Sequence, residues 1–192
     1  MQSEYLGFVR YEQALSRQQE TAEDTIFGFE PMPVVTWGYR ADPVTELLWS
    51  KEEWQGREFR LLPVDRGGLA TIHNPGQLVI FPAVEMQMRG ARELIERMGK
   101  VTRLLLKEEG CEARWDKCQP GLYTELGKIA SVGIRIRQGR TFHGLALNVR
   151  NDLAAFSGIR VCGAEAGSVD RLGGDRPLSD LFQQWMRLWL GS

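Results

Sequence analysis

Three features of this 192-residue sequence have residue types and settings that could do chemistry: Cys162, Lys128 and the run Arg66-Gly67-Gly68. Cys162 stands before Gly163, at the end of Gly158-Ile159-Arg160-Val161. A free thiol titrates near ~8.5, so it is a weak nucleophile at neutral pH until a neighbouring cation or base favours the thiolate. A lone cysteine is more often a small buried hydrophobe. Lys128 heads Lys128-Ile129-Ala130-Ser131-Val132-Gly133-Ile134-Arg135-Ile136. Period-two alternation puts it on the face of Ala130, Val132, Ile134 and Ile136, with Arg135 and Arg137 on the other. A lysine there either snorkels out at the strand end or is partly buried, and partial burial makes it a usable base.

Arg66-Gly67-Gly68 is followed by His73, Pro75-Gly76 and the apolar run 78–81. It lacks the lysine and Ser/Thr of a phosphate loop, and it is not a dinucleotide fingerprint. Either the glycines make a tight turn, or they keep the backbone bare so that a ligand can lie against it. Thr71-Ile72-His73 and Thr141-Phe142-His143 form a weak internal echo that holds both histidines, and a pattern so short can arise by chance. Cys111 and Cys118 have no paired ligands nearby, so they read as structural or incidental and no metal site is expected.

The elements that must position these residues follow from periodicity. Residues 11–20 read as an amphipathic helix, with Ala14 and Leu15 at helical spacing. Residues 26–29 and 34–36 read as strands joined through 30–33, and 38–62 as loop and short helix. Residues 91–107 carry Leu94, Ile95, Met98, Val101, Leu104 and Leu105, a helical stripe ended by Gly110. Strands are expected at 122–125, 128–137 and 142–149, with a short extended piece at 158–163. Pro177 opens a last helix whose face carries Leu181, Phe182, Trp185, Leu188 and Trp189. A strand-rich middle flanked by helices predicts an α+β architecture with mixed and largely antiparallel sheets, and the length suits one domain over 1–192, with room for a small subdomain.

Composition narrows the classes. The chain is 43% hydrophobic and 26% charged, which is ordinary for a globular protein. A net charge of −1 gives no electrostatic footprint for nucleic acid or a membrane surface. No apolar run approaches the ~20 residues of a membrane span, and the N-terminus lacks the apolar core of a signal peptide. Three cysteines, an odd count, form no disulfide framework, and a reducing cytoplasm is the expected compartment.

Taken together, the motifs resemble the lipoyl(octanoyl) transferases of lipoate biosynthesis. One block is Arg66-Gly67-Gly68-Leu69-Ala70-Thr71-Ile72-His73-Asn74-Pro75-Gly76-Gln77-Leu78 and on to Pro82. A second is Lys128-Ile129-Ala130-Ser131-Val132-Gly133 with His143-Gly144-Leu145-Ala146-Leu147-Asn148. A third is Cys162-Gly163, and Tyr11…Ala14-Leu15…Gln18 and Pro33-Val34-Val35-Thr36…Gly38 also fit. The blocks run in order along nearly the whole chain. It departs from the family pattern at Pro31, Ile72, Asn74, Val161 and Asp170-Arg171-Leu172, which bear on acyl length, donor identity and rate.

The resemblance implies the fold of lipoate and biotin protein ligases. It implies transfer of an octanoyl group from octanoyl-acyl carrier protein to a lysine ε-amine. The acceptors would be the lipoyl domains of 2-oxoacid dehydrogenase complexes and the glycine-cleavage carrier protein. Cys162 would carry the acyl group as a thioester, and Lys128 would lower the thiol's pKa and move protons. Arg66, Gly67, Gly68, Leu69, Ala70, Thr71, Ile72 and His73 would line the acyl pocket with Ser131, Val132, Gly133, Gly144, Leu145 and Ala146. No cofactor is implied, because the donor thioester already stores the acylation energy. Two other readings stand beside it: an ATP-dependent lipoate ligase on the same fold, and a non-catalytic carrier-binding relative.

Overall fold

Residues 1–86, 90–160 and 169–192 are described by the structure, a computed structural model. The first helix, α1 (Tyr11–Glu20), links β1 (Gln2–Val9) to β2 (Thr25–Pro31), which run parallel. After β3 (Val34–Trp37) come the short helices α2 (Pro43–Glu46) and α3 (Lys51–Gly56), then β4 (Arg60–Pro63), β5 (Ala70–His73) and β6 (Gln77–Ala83). The long helix α4 (Ala91–Glu108) leads to β7 (Arg114–Asp116), β8 (Gly121–Tyr123), β9 (Lys128–Arg137) and β10 (Arg140–Asn148). A 3-10 turn (Ala154–Gly158) and α5 (Leu178–Leu190) complete the order.

Among the described residues the strands form a seven-stranded sheet, β1-β2-β6-β10-β9-β8-β7, and a three-stranded sheet, β4-β3-β5. Among these strands only β1–β2 and β3–β4 pair in parallel; the other strand pairs are antiparallel, as the mixed, largely antiparallel expectation had it. The sequence of β6, buried at every position, suits a central strand covered on both faces. One face packs on α4 and α5, where Leu94, Met98, Val101 and Leu105 meet Phe182, Trp185 and Trp189. Gly28 of β2 is required there, since a Cβ would run into the ring of Phe182. The other face receives α1 and the small sheet, and this is the side on which a cavity forms.

Several expectations need correction. β1, β4, β5 and β7 were not read as strands. β2 and β3 look like one hairpin in sequence but belong to different sheets. The strand expected over 122–125 is β8, shifted to Gly121–Tyr123. Gly158 ends the 3-10 turn and Ile159 bridges Leu47, while 161–163 lie outside the described residues.

Candidate active site

Small residues pair across the middle of the large sheet: Gly133 faces Gly144, and Ala146 faces Ser131 on one side and Val79 on the other. Their short side chains keep this patch low. The loop before β5 closes over it, with the Gly67 N–H donating to the Ile134 carbonyl at 3.0 Å. Between them lies a cavity of about 410 Å³, within the ~300–1,000 Å³ usual for small-molecule sites. Tyr11, Val79 and Phe81 are its buried walls, and Arg40, Cys118 and Gln119 its exposed ones.

The pocket residues read from the sequence meet here, with two exceptions. Arg66, Gly68, Leu69, Ala70, Thr71, His73, Ser131, Val132, Gly133, Gly144, Leu145 and Ala146 all line the cavity. Gly67 does not: its main-chain atoms engage Ile134 and Arg66 instead. Ile72 points away, fully buried with Val35, Trp54 and Phe156. Gly68 has φ +90, which L side chains rarely adopt, whereas a Cβ on Gly67 would meet nothing closer than 3.5 Å. Both jobs of the run Arg66-Gly67-Gly68, the tight turn and the bare cavity wall, therefore fall on Gly68.

Lys128 lines the same cavity, half-buried rather than fully snorkelled. Cys162 lies outside the described residues, which stop at Arg160 and resume at Val169. Ile159 and Val169 both line the cavity, and Val169 bridges Lys128. Cys118, read as incidental, is exposed at the cavity rim, and Cys111 is partly buried, with burial pushing its thiol up.

A buried polar network holds the wall. The Arg66 guanidinium donates to the Thr36 carbonyl (2.9 Å), Thr36 Oγ1 (3.0 Å) and the Gly67 carbonyl (2.9 Å), and burial pushes its pKa down. Gln77 donates to the Ile72 carbonyl and to Asn148 Oδ1, so its own Oε1 accepts from His73 Nδ1 at 2.8 Å. His73 Nε2 then accepts from Thr36 Oγ1 at 3.3 Å. Burial pushes His73 down to about 3, so the ring is neutral. Asn148 Nδ2 reaches the Asp170 carbonyl, and the Asp170 N–H donates to the Lys128 carbonyl. The chain of bonds therefore runs from Arg66 to the head of β9.

The second histidine is placed differently. His143 adopts φ +59 beside Gly144, where any Cβ would collide with the Ile80 carbonyl. Gln18 clasps its backbone, accepting from the His143 N–H at 2.8 Å and donating to its carbonyl at 3.1 Å. The His143 Nε2 donates to Asp65 and its Nδ1 accepts from the Tyr11 hydroxyl, each at 2.8 Å. Burial lowers the His143 pKa, so this is the neutral tautomer. Partial burial, the largest single effect, pushes the Asp65 carboxyl up, but His143, a backbone hydrogen bond and the Arg135 charge together outweigh it and leave the group below its ordinary value. Tyr11, Arg40 and Asn148 are cavity residues that the pocket assignment missed. For Asn148 the signal was available, in the block that begins at His143.

The geometry defines a class: a mixed, largely antiparallel α+β fold with a mostly apolar cleft beside a lysine. The description "Lipoyl protein ligase A/B catalytic domain" matches residues 5–173. A lipoate-protein ligase A bound with ATP superposes with a TM-score of 0.80 at 16% identity, over 100% of this chain and 85% of that one. A biotin protein ligase from Aquifex aeolicus in complex with biotin and ATP gives 0.60 at 10% identity, over 99% and 69%. At such identities these two speak for the fold alone. An octanoyltransferase of Chromobacterium violaceum is 40% identical over 169 residues, 83% of this chain and 78% of the relative. The chain belongs to the lipoyl protein ligase A/B family, on its octanoyltransferase branch, and is a transferase.

Proposed function

We propose that this protein moves an octanoyl group from octanoyl-acyl carrier protein to a lysine ε-amine on a lipoyl domain, through a thioester on Cys162. The observation that carries the reading is the convergence on one cavity of Lys128, the loop 66–73 and the paired stretches 131–133 and 144–146. Ile159 and Val169 in the same lining support Cys162 as the nucleophile. The likeness to octanoyltransferases supports the identity of the acyl group. In the first half-reaction the Cys162 thiolate attacks the donor's carbonyl carbon, a carbon–sulfur bond forms, and the carrier leaves as a thiolate that takes a proton from the Lys128 ammonium. In the second, the acceptor amine attacks the enzyme thioester and gives its proton to the Lys128 amine. The amide forms and Cys162 is released. The acyl chain lies along the part of the cavity wall that Gly68, Gly133 and Gly144 form.

The acceptors on this reading are lipoyl domains of 2-oxoacid dehydrogenase complexes and the glycine-cleavage carrier. Intact mass spectrometry tests it. Octanoyl-acyl carrier protein should add one octanoyl group that hydroxylamine removes, and Cys162→Ala should take none. Transfer to a lipoyl domain should proceed with ATP omitted. An absolute ATP requirement would overturn the reading in favour of the ligase chemistry of the same fold.

A further inference from the structure

Lys128 is held by its neighbours on β8. Its last methylene and ammonium cross directly over Gly121. A Cβ there would stand 2.6 Å from Lys128 Cε and 3.3 Å from Nζ, and would also run into the Ala130 carbonyl. Only glycine leaves that lane open. At the end of the lane, Nζ lies 5.3 Å from the centroid of the Tyr123 ring, inside the ~6 Å reach of a cation–π contact. Tyr123 is the cross-strand partner of Lys128 on one side and of Arg114 on the other, and Arg114 sits 5.3 Å from the same ring.

The ring is fixed in turn. Its hydroxyl donates to the Gln119 carbonyl (3.3 Å) and to Gln119 Oε1 (3.2 Å). Asp116 ties that turn by accepting from the N–H groups of Cys118 (2.8 Å) and Gln119 (3.2 Å), and Cys118, Gln119 and Pro120 line the cavity. A lysine has a long flexible stem, and proton transfer needs its nitrogen within hydrogen-bond reach of the reacting group. A glycine lane ended by an aromatic face removes the rotamers in which the amine turns away.

We propose that Gly121 and Tyr123 are positioning residues for the Lys128 amine, a shelf on β8 that aims it into the cavity. This rests on the role assigned to Lys128 under Proposed function. Gly121→Ala presses on backbone as well as on the lysine, so the informative pair is Tyr123→Leu and Tyr123→Phe. Two readouts are needed: kcat and KM with octanoyl-acyl carrier protein, and the pH profile of Lys128 labelling by trinitrobenzenesulfonate, mapped by peptide mass. Tyr123→Leu should lower kcat about three- to tenfold, the factor a cation–π contact corresponds to, with donor KM unchanged. Its labelling profile should depart from wild type, and Tyr123→Phe should restore both. A matched profile and kcat for Leu and Phe, while Lys128→Met abolishes transfer, would overturn the shelf and leave the function standing. Wild-type transfer by Lys128→Met would overturn the function and the shelf with it.

Discussion

The Tyr11 hydroxyl donates to His143 Nδ1 at 2.8 Å, and the Tyr11 ring lies 4.9 Å from His73, centroid to centroid. One side chain from α1 therefore sits between the two histidines and forms a buried wall of the cavity. Tyr11→Phe keeps the ring and strands the imidazole nitrogen without a donor in a fully buried site. That should cost about 1–3 kcal/mol, the penalty of an unsatisfied buried acceptor. The urea midpoint reads it directly. An unchanged midpoint would mean that His143 finds another donor.

His73 sets an acid limit on the fold. Burial pushes its pKa from 6.5 down to about 3, and the nearby Arg66 charge acts in the same direction. Between those values the unfolded chain binds the proton and the folded one does not, so stability falls as pH drops through 6.5 and levels off near 3. Between about pH 7 and pH 5, above the range where most carboxylates titrate, the wild type should lose stability faster than His73→Gln. Parallel urea midpoints for the two would remove His73 as the cause.

The two glycines of the opening run should separate experimentally. Gly68→Ala forces a Cβ into φ +90, a strain of about 1–3 kcal/mol, and presses it to 3.3 Å from the Arg66 guanidinium in the cavity wall. Gly67→Ala meets only ordinary contacts and should change stability and octanoyl uptake little. Equal effects at both positions would show that the turn and the cavity wall do not rest on Gly68.

How much of this was legible in the sequence depended on where each residue's partners lie. α1 was readable to the residue; its buried residues are Tyr11, Ala14 and Gln18, with Leu15 packed partly buried against the same cluster. Periodicity gave no reason to bury Gln18, because its partner His143 is 125 positions away. β5 escaped notice because Thr71 and His73 look like loop chemistry, and His73 is acceptable inside only because Gln77 and Thr36 satisfy it. β1 carries a glycine at φ +76 and an irregular register, so no alternation survives to be seen. The Gly-rich loop and Lys128 were legible because local pattern and family motif coincide there. Tyr11 and Arg40 complete the cavity from remote segments, and no local spacing announces them.

The coupling of Lys128 to Cys162 is the step on which the proposed chemistry stands. An ammonium near the sulfur favours thiolate, so the thiol should titrate below the ordinary cysteine range. Lys128→Met removes the charge and keeps most of the bulk. At neutral pH, alkylation of Cys162 by iodoacetamide should then slow and recover at high pH. The adduct must be mapped by peptide mass, because Cys118 is exposed and will react as well. Acyl transfer should fall further than alkylation does, since the acceptor amine also loses the group that takes its proton. Lys128→Arg separates the two roles. A guanidinium supplies the charge but cannot give up a proton at these pH values, so alkylation should stay fast while transfer fails. If the alkylation profiles of wild type, Lys128→Met and Lys128→Arg superimpose, Lys128 does not act on the thiol, and its place in the cavity wall serves binding alone.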